Sequence, residues 1–341
     1  MNTQARSTTP SRPQSTATPP ETRGATTRRW RLSMDGPAVI GAVTLILFIL
    51  ACVFVPEFAT ANNIRALVFS VSLVGIVAVG LSMITIVGRM FSLSLSAVVA
   101  SAAILFAATL HLGPWTVLGI AVAFGILSGL VQGLLIGAAR TDPIVTTIAA
   151  SAIILGVAQL ITGGMNVIGD GDASVFGSLL FGVIPFQVVV FLIVAVVSAV
   201  LHRYTAMGRE ITLIGLNEKA AAVAGLRAWP RVLAAFVISG ALAALAGALL
   251  ASESGQGNLT LGASYGFDAI IAVVIGGIGV KGGRGNPISA AVGALLVGLL
   301  ANALVLLGLS YEDQLIFQGL LVLAAVVITG ATANGSAARK R

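Results

Sequence analysis

Ten nearly uncharged apolar runs follow one another along this chain, over 37–55, 64–87, 92–111, 115–138, 144–162, 184–201, 232–251, 259–280, 287–307 and 314–330. A helix rises 1.5 Å per residue, so about 20 apolar residues cross ~30 Å of hydrocarbon. Between runs stand helix-breaking signals: Pro56 with Asn62-Asn63, then Pro114, Asp142-Pro143, Pro185 and Pro287. Hydrophobic residues make up 57% of the chain and charged ones 9%, against about 25% charged in a soluble globular domain. That excludes a soluble enzyme. The expected fold is an all-α polytopic membrane protein with about ten transmembrane helices.

Charge fixes an orientation. The net +7 of the chain suggests a nucleic-acid partner only until it is split by position: six Arg and one Glu lie in residues 1–33, giving +5, and Arg339, Lys340 and Arg341 add +3, leaving −1 for the body. The basicity belongs to the tails, so no nucleic acid is expected. With the N-terminus inside, the segments 1–36, 88–91, 139–143, 202–231, 281–286 and 331–341 hold 18 of the 19 Lys and Arg, with Arg65 the exception. The positive-inside bias therefore predicts both termini cytoplasmic. Residues 1–35 read as a disordered basic tail, 36–330 as the transmembrane domain and 331–341 as a short basic tail. Arg28-Arg29 invites a twin-arginine export signal, but no small-residue cleavage pattern follows, and the first run reads as a retained span. The weakest span is 259–280, with Asp268 and several Gly; the charge count has it cross, as a continuous or a broken helix.

What the spans lack narrows the function. Proton- and sodium-coupled carriers use intramembrane acids or His, and Asp268 is the one acid well inside a run. There is no Arg ladder and no potassium-filter string. Gly277-x-Gly279-x-x-Gly282 matches a dinucleotide fingerprint in letters alone: no βαβ alternation surrounds it, and the next acid is Glu312. No P-loop exists, Cys52 stands alone, and His111 and His202 lie at opposite faces, so neither catalytic nor metal-binding residues are expected. Small-residue faces recur every fourth position at Gly125, Gly129, Gly133 and Gly137, and at Ala235, Ser239, Ala243 and Gly247; close packing within one subunit is the leading reading. The uncharged polar residues in the runs, with Ser92, Ser94, Gln159 and Asn302 among them, suit a neutral, hydroxyl-rich solute.

The longest internal loop, 202–231, contains Thr205, Gly208-Arg209, Gly215, Asn217-Glu218, Ala220-Ala221 and Gly225. A short amphipathic helix is expected from Asn217, its N-cap, to Gly225 beyond its end. Such a helix fills a loop or serves as a lever for a soluble partner. Its pattern G-R-x-I-x-x-I-G-x-N-x-x-A-A-x-x-A-G resembles the coupling region of membrane subunits of ribose/xylose-type ABC importers, in the branched-chain amino acid/sugar permease superfamily. Tyr265-Gly266-Phe267-Asp268-Ala269-Ile270, then Gly276-Gly277 and Gly282-Gly283-Arg284-Gly285, is similar to a second family string. The run from Gly293 through Asn302 to Leu306-Leu307-Gly308 is similar to a third. Two departures stand out: Ser92 takes the place of the acid in the family's I-D-L-S-V-G string, and Val305 replaces a second Asn.

The resemblance implies a permease subunit in the cell (inner or plasma) membrane, without enzymatic activity or a cofactor of its own. It implies a partner ATPase that binds ATP and Mg, an extracytoplasmic solute-binding protein, and a second copy or paralogue of the permease. Gly208, Arg209, Gly215, Asn217, Glu218, Ala221 and Gly225 would then form the coupling loop, Arg209 and Glu218 pairing at the cassette surface. Gly276, Gly277, Gly282, Gly283 and Gly285 would form a cytoplasmic glycine turn packed beside it. Ser92, Ser94, Gln159, Asp268 and Asn302 would line the solute path, and the outward loop 163–183, with Asp170 and Asp172, would dock the binding protein. A monosaccharide is the expected solute. A branched-chain amino acid importer, a stand-alone facilitator or secondary carrier, and a membrane scaffold or enzyme are the competing readings.

Overall fold

Several helices begin where the sequence supplies a capping side chain, a proline or both. The computed structural model describes residues 36–177, 179–180, 184–310, 313–320 and 323. The N-terminal tail to residue 35, the tail 331–341 and most of the last apolar run lie outside them. Helix α1 spans Gly36–Phe54 and α2 spans Ala61–Ile86, where the Thr60 hydroxyl accepts the Asn63 N–H. Helix α3, Leu95–Thr109, continues as a single 3-10 turn. Helix α4 (Pro114–Gly137) starts on its own proline, and α5 (Pro143–Thr162) on Pro143, with Asp142 accepting from the Ile144 and Val145 N–H groups. Pro at the first helical position sacrifices only an N–H with no intrahelical partner.

The connection after α5 holds β1 (Val167–Ile168), α6 (Ser174–Gly177), β2 (Leu179–Leu180) and β3 (Ile184–Pro185), the last two paired antiparallel. Helix α7 runs Phe186–Tyr204, and α8 (Ala206–Leu216) and α9 (Glu218–Val223) follow as a bent pair. The second half comprises α10 (Ala228–Ser254), β4 (Gln256–Gly257), which pairs antiparallel with β1, α11 (Tyr265–Ile275) and α12 (Pro287–Leu306), capped by Asn286. Residues 313–320 are helical.

Seven of these helices, α2 to α5, α7, α10 and α12, are long and apolar enough to cross a membrane. The chain is an all-α polytopic membrane protein. The expected span 259–280 is not one helix: α11 has 11 residues, about 16 Å of rise, and an irregular segment from Asn258 to Ser264 leads into it.

The core forms around α2, whose residues from Val71 to Ile86 are all buried. Helices α7, α10, α11 and α12 pack around it. The glycine stripe of α4 is spent inside the subunit. A Cβ on Gly133 or Gly137 would sit 2.9 Å from the backbone of Leu233 or Trp229, and one on Gly125 or Gly129 would overlap the carbonyls of Gly240 or Phe236. Backbones this close gain dispersion contacts that need no help from water. Ala235, Ser239, Ala243 and Gly247 are likewise buried, with Gly247 against Val99 of α3.

Candidate functional site

Two interrupted elements meet inside the bundle. After α2 the chain turns at Gly88 (φ +85°) and Met90 (φ +57°) and runs irregularly to Ser94, where α3 begins. After α10 it runs irregularly from Asn258 to Ser264, where α11 begins. This second segment descends along α3: Gly257 lies against Ala103 and Ile104, Gly262 against Val99, and Gly266 against Ser96. At the meeting point the Gly266 N–H donates to the Ser96 Oγ over 3.2 Å. Helices α3 and α11 thus start beside one another and run toward opposite ends of the bundle. Each directs the positive end of its backbone dipole at the junction. Paired broken helices of this kind are where membrane transporters place polar chemistry away from lipid.

Side chains at the junction are polar and buried. Ser92 Oγ lies 3.0 Å from Ser94 Oγ, Ser94 Oγ donates to Gln132 Oε1 at 2.7 Å, and Gln132 Nε2 donates to Ser128 Oγ at 3.0 Å. The Leu93 N–H reaches Thr147 Oγ1 of α5 at 3.3 Å. Asp268, in the first turn of α11, is 9% exposed, and its Oδ1 is buried with no hydrogen-bond partner. The structure therefore brings Ser92 and Ser94 together and sets Asp268 at the start of the partner half-helix. It does not gather the other two path candidates. Gln159 sits exposed near the far end of α5, and Asn302 exchanges two amide hydrogen bonds with Asn63, at 3.0 and 2.8 Å.

The opposite constellation lies where α2 ends. Three glycine segments converge there: Gly88, Gly215 at the end of α8, and Gly282-Gly283. The Gly283 N–H donates to the Ile86 carbonyl over 2.8 Å. A Cβ on Gly282 would lie 2.5 Å from the Gly88 Cα, and one on Gly283 would lie 2.5 Å from the Leu216 N. Both residues have positive φ, +88° and +72°, which glycine alone adopts freely. Gly276 packs on the Ser289 carbonyl of α12, while Gly277 (φ +77°) meets nothing within 4 Å and Gly285 (φ +124°) crosses Ile278. The glycine turn thus rests against the end of α8.

From that junction α8 and α9 project as a unit. In α8 Gly208, Ile211 and Ile214 are buried, and a Cβ on Gly208 would overlap the His202 carbonyl. Glu210 accepts from Arg231 Nε at 2.6 Å, tying α8 to α10; that bond and the guanidinium charge hold its carboxyl below the ordinary range. The expected short helix is present as α9: Asn217 Oδ1 accepts the Ala220 N–H, Ala221 is buried, and Gly225 follows at φ +83°. Glu218 binds Arg89 Nη2 at 3.0 Å, a partner within the chain that the sequence did not suggest. On the exposed side of the pair Leu213, Leu216 and Val223 stand among the charged Arg209, Glu218 and Lys219, Val223 being 92% exposed. Val223 carries no motif of its own, and an apolar letter in a short helix does not say which face is exposed. Among the described residues no group of three His, Cys, Asp or Glu could hold a metal.

The chain is similar in sequence to several transport permeases. It is 34% identical to the ribose import permease protein RbsC of Bacillus subtilis over 83% of this chain and 89% of that protein. It is 34% identical to the L-arabinose transport system permease protein AraH of Escherichia coli, over 84% and 88%. The galactofuranose transporter permease protein YtfT of Escherichia coli is also 34% identical, over 75% and 76%. No solved structure matches the chain significantly. The family model described as "Branched-chain amino acid transport system / permease component" matches residues 63–326, and the chain belongs to that family of membrane transport permeases.

Proposed function

We propose that this chain is the permease subunit of an ATP-driven importer for a neutral monosaccharide. The observation that carries the reading is the α8–α9 projection: one face is locked by glycines into the end of α2, and the other leaves Leu213, Leu216 and Val223 uncovered. Exposed apolar surface of this kind marks a contact with a partner protein or with membrane, and a short two-helix projection between two spans fits a soluble partner. Sugar permeases among the relatives support the solute class.

In this reading the projection faces the cytoplasm with both termini, the chain crosses the membrane ten times, and an ATP-binding cassette ATPase grips α9. ATP and Mg are bound by that partner and not by this chain. An extracytoplasmic binding protein delivers the solute, and the loop 163–183 is its docking surface. Gly208, Arg209, Gly215, Asn217, Glu218, Ala221 and Gly225 shape the lever. Gly276, Gly277, Gly282, Gly283 and Gly285 form the turn it rests on. Ser92, Ser94 and Asp268 offer hydroxyl and carboxylate partners to sugar hydroxyls where α3 and α11 start. Gln159 enters the path from a second copy or paralogue, since α5 leaves it exposed beside Gly156, whose Cβ position is open. ATP favours one arrangement of the cassettes, and the lever passes that preference to the half-helix junction.

The deciding experiment is uptake of labelled ribose, arabinose, galactose and leucine into proteoliposomes holding this chain, its ATPase and its binding protein. Val223→Glu places a charge on the uncovered projection without touching the core. Uptake of a sugar that needs ATP and both partners, and that falls at least tenfold in this variant with the protein still folded, fits the proposal. Leucine uptake alone would reassign the solute. Sugar uptake by the lone chain without ATP would overturn the importer reading.

A further inference from the structure

At the end of the bundle opposite the lever, three helix ends enclose a small polar cavity that lies apart from the half-helix junction. Asn62, Arg65 and Phe69 fall on one face of the first turns of α2, at the three- and four-residue spacing of a helix. Gln187 enters from the first turn of α7 and Glu253 from the last turn of α10, and Gly177, at the end of α6, closes the side. The cavity holds about 230 Å³. Pockets for drug-sized ligands hold about 300–1,000 Å³, so an occupant here is smaller, on the scale of one sugar ring.

The charges of this cavity are not spent on each other. Arg65 is the one Lys or Arg outside the segments expected on the cytoplasmic side, so positive-inside bias does not account for it. Among the described residues its side chain forms no ion pair or hydrogen bond, and neither does that of Glu253, although the two line one cavity. Solvation alone would account for two exposed side chains. It does not account for the wall behind them. Gln187 is 1% exposed, and its Nε2 donates to the Phe176 carbonyl at 2.9 Å; the amide has a second donor and an acceptor oxygen besides. Phe176 is fully buried among the rings of Phe106, Trp115 and Phe186, with centroids 6.2, 5.0 and 5.6 Å away. Trp115 is itself exposed, as expected of a ring at a membrane–water boundary. The polar wall is thus fixed by an aromatic anchor before a ligand arrives, which spares the ligand that ordering cost.

We infer that this cavity is an outer binding site for the monosaccharide, where the solute rests before it enters the half-helix junction; the inference builds on the solute class proposed above. The charges select for a neutral ligand. Arg65 and Glu253 sum to zero, so an anion meets the carboxylate and a cation meets the guanidinium. A polyol conflicts with neither: neighbouring hydroxyls accept from the Arg65 fork and donate to the Glu253 carboxylate, and the Asn62 and Gln187 amides do both. The C–H groups of the sugar ring pack on the face of Phe69. Glycine at 177 keeps the carboxylate within reach, since a Cβ there would stand 3.6 Å from Glu253 Oε2. Gly177 also belongs to the loop proposed to receive the binding protein, so solute released there arrives at this cavity.

Binding is measured on the full chain alone in nanodiscs, by saturation-transfer NMR titration with ribose and arabinose as probes. Wild type should bind a sugar. Arg65→Met and Glu253→Gln should each weaken binding roughly tenfold, the loss expected of a hydrogen bond to a charged group. Ala66→Phe, which fills the cavity from the exposed face of α2, should abolish it. All three should keep the wild-type melting temperature, because the replaced side chains are exposed. Glu57→Gln, which removes an exposed acid just before α2 and outside the cavity, should leave binding unchanged. Binding that survives Arg65→Met or Ala66→Phe would overturn the inference. So would an equal loss in Glu57→Gln, which would mean general surface charge, or displacement by glycine, which would mean a zwitterion site. Neither ATP nor a partner is present in this measurement, so its failure is separable from that of the importer reading. ATP-driven sugar uptake by a chain whose cavity binds no sugar would overturn this site alone. Sugar held in the cavity without ATP-driven uptake would support the site and count against the importer.

Discussion

Helices α2 and α5 are both long apolar rods, yet 83% of the most apolar stretch of α2 is buried in the subunit and only 17% of that of α5. Both contain glycine, used in opposite ways. Gly75 of α2 takes the ring of Phe191, and Gly80 takes the Ser239 backbone, 3.1 Å from where a Cβ would be. Gly156 of α5 has nothing within 4 Å of its Cβ position. Apolarity in a membrane chain therefore marks what enters the bilayer and says nothing about what enters the core. The close-approach partner decides that, and only the fold reveals it.

The most severe test of this contrast fills one glycine of the closely packed α4–α10 seam and one of α5. Gly125→Leu forces side-chain atoms into the Gly240 carbonyl and the Ala244 methyl. Neither neighbour can rotate away, so the cost should reach at least the upper end of the ~1–3 kcal/mol typical of overpacking. Little monodisperse protein should survive detergent extraction, as read by size-exclusion chromatography. Gly156→Leu should leave extraction and melting temperature unchanged. Equal damage from the two would mean that α5 is packed as tightly as the α4–α10 seam, and the contrast between buried and open apolar helices would fail.

A second test moves to the end of α2. Gly215→Ala adds one methyl that overlaps the Ile86 carbonyl and reaches within 2.5 Å of the Gly283 N. It should lower the melting temperature by several degrees, about 1–3 kcal/mol. Gly225→Ala meets no atom and incurs only the left-handed backbone penalty, about 1 kcal/mol. The ordering, Gly215 above Gly225, is the expected result of thermal unfolding in detergent. The reverse ordering would show that the three-glycine junction is not a close-packed point.

How much of this was legible beforehand follows the same division. Membrane class, most helix boundaries and the short helix after Asn217 were readable, because hydropathy, proline and capping act locally. The glycine turn was an expectation from the family resemblance, and the positive φ of Gly277, Gly282, Gly283 and Gly285 is the physical reason for glycine there. The splitting of 259–280 was left open: Asp268 and several Gly allowed a broken helix, but an irregular segment packed on α3 carries the same apolar letters as a continuous one, and Gly257, Gly262 and Gly266 mark the close approach only once α3 is in place. Asn302 was grouped with the path because a lone polar residue in a span shows no partner, and Asn63 lies 239 positions away. Ser92 and Ser94 do adjoin, but their neighbours Gln132 and Thr147 come from two other helices.

The Asn63–Asn302 pair gives a sharper, smaller effect. Asn302→Leu leaves the Asn63 Oδ1 without its donor in a part-buried site, while its Nδ2 keeps the Phe58 carbonyl, which should cost about 1–3 kcal/mol. Asn63→Leu/Asn302→Leu removes both needs at once and should recover much of the loss in a double-mutant cycle. A residue serving the solute path would behave otherwise: transport would change with stability untouched, and the second substitution would rescue nothing.

The smallest effect is set by pH at the seam between lever and core. Arg231 holds the Glu210 carboxyl below the ordinary carboxylate range, mainly through the direct hydrogen bond. A carboxyl with a depressed folded-state pKa contributes stability that is fully present above its unfolded value and is lost as pH falls through the folded one. Wild type should therefore melt slightly above Glu210→Gln at pH 7, and the gap should close on acidification below about pH 4. Because the pair is open to solvent, added salt should shrink the gap at neutral pH as well. A gap that persists in acid would mean that Glu210 fastens α8 by packing and not by charge. The lever would then be joined to α10 as α4 is, by shape, and the distinction between a rigid core and an electrostatically fastened lever would disappear.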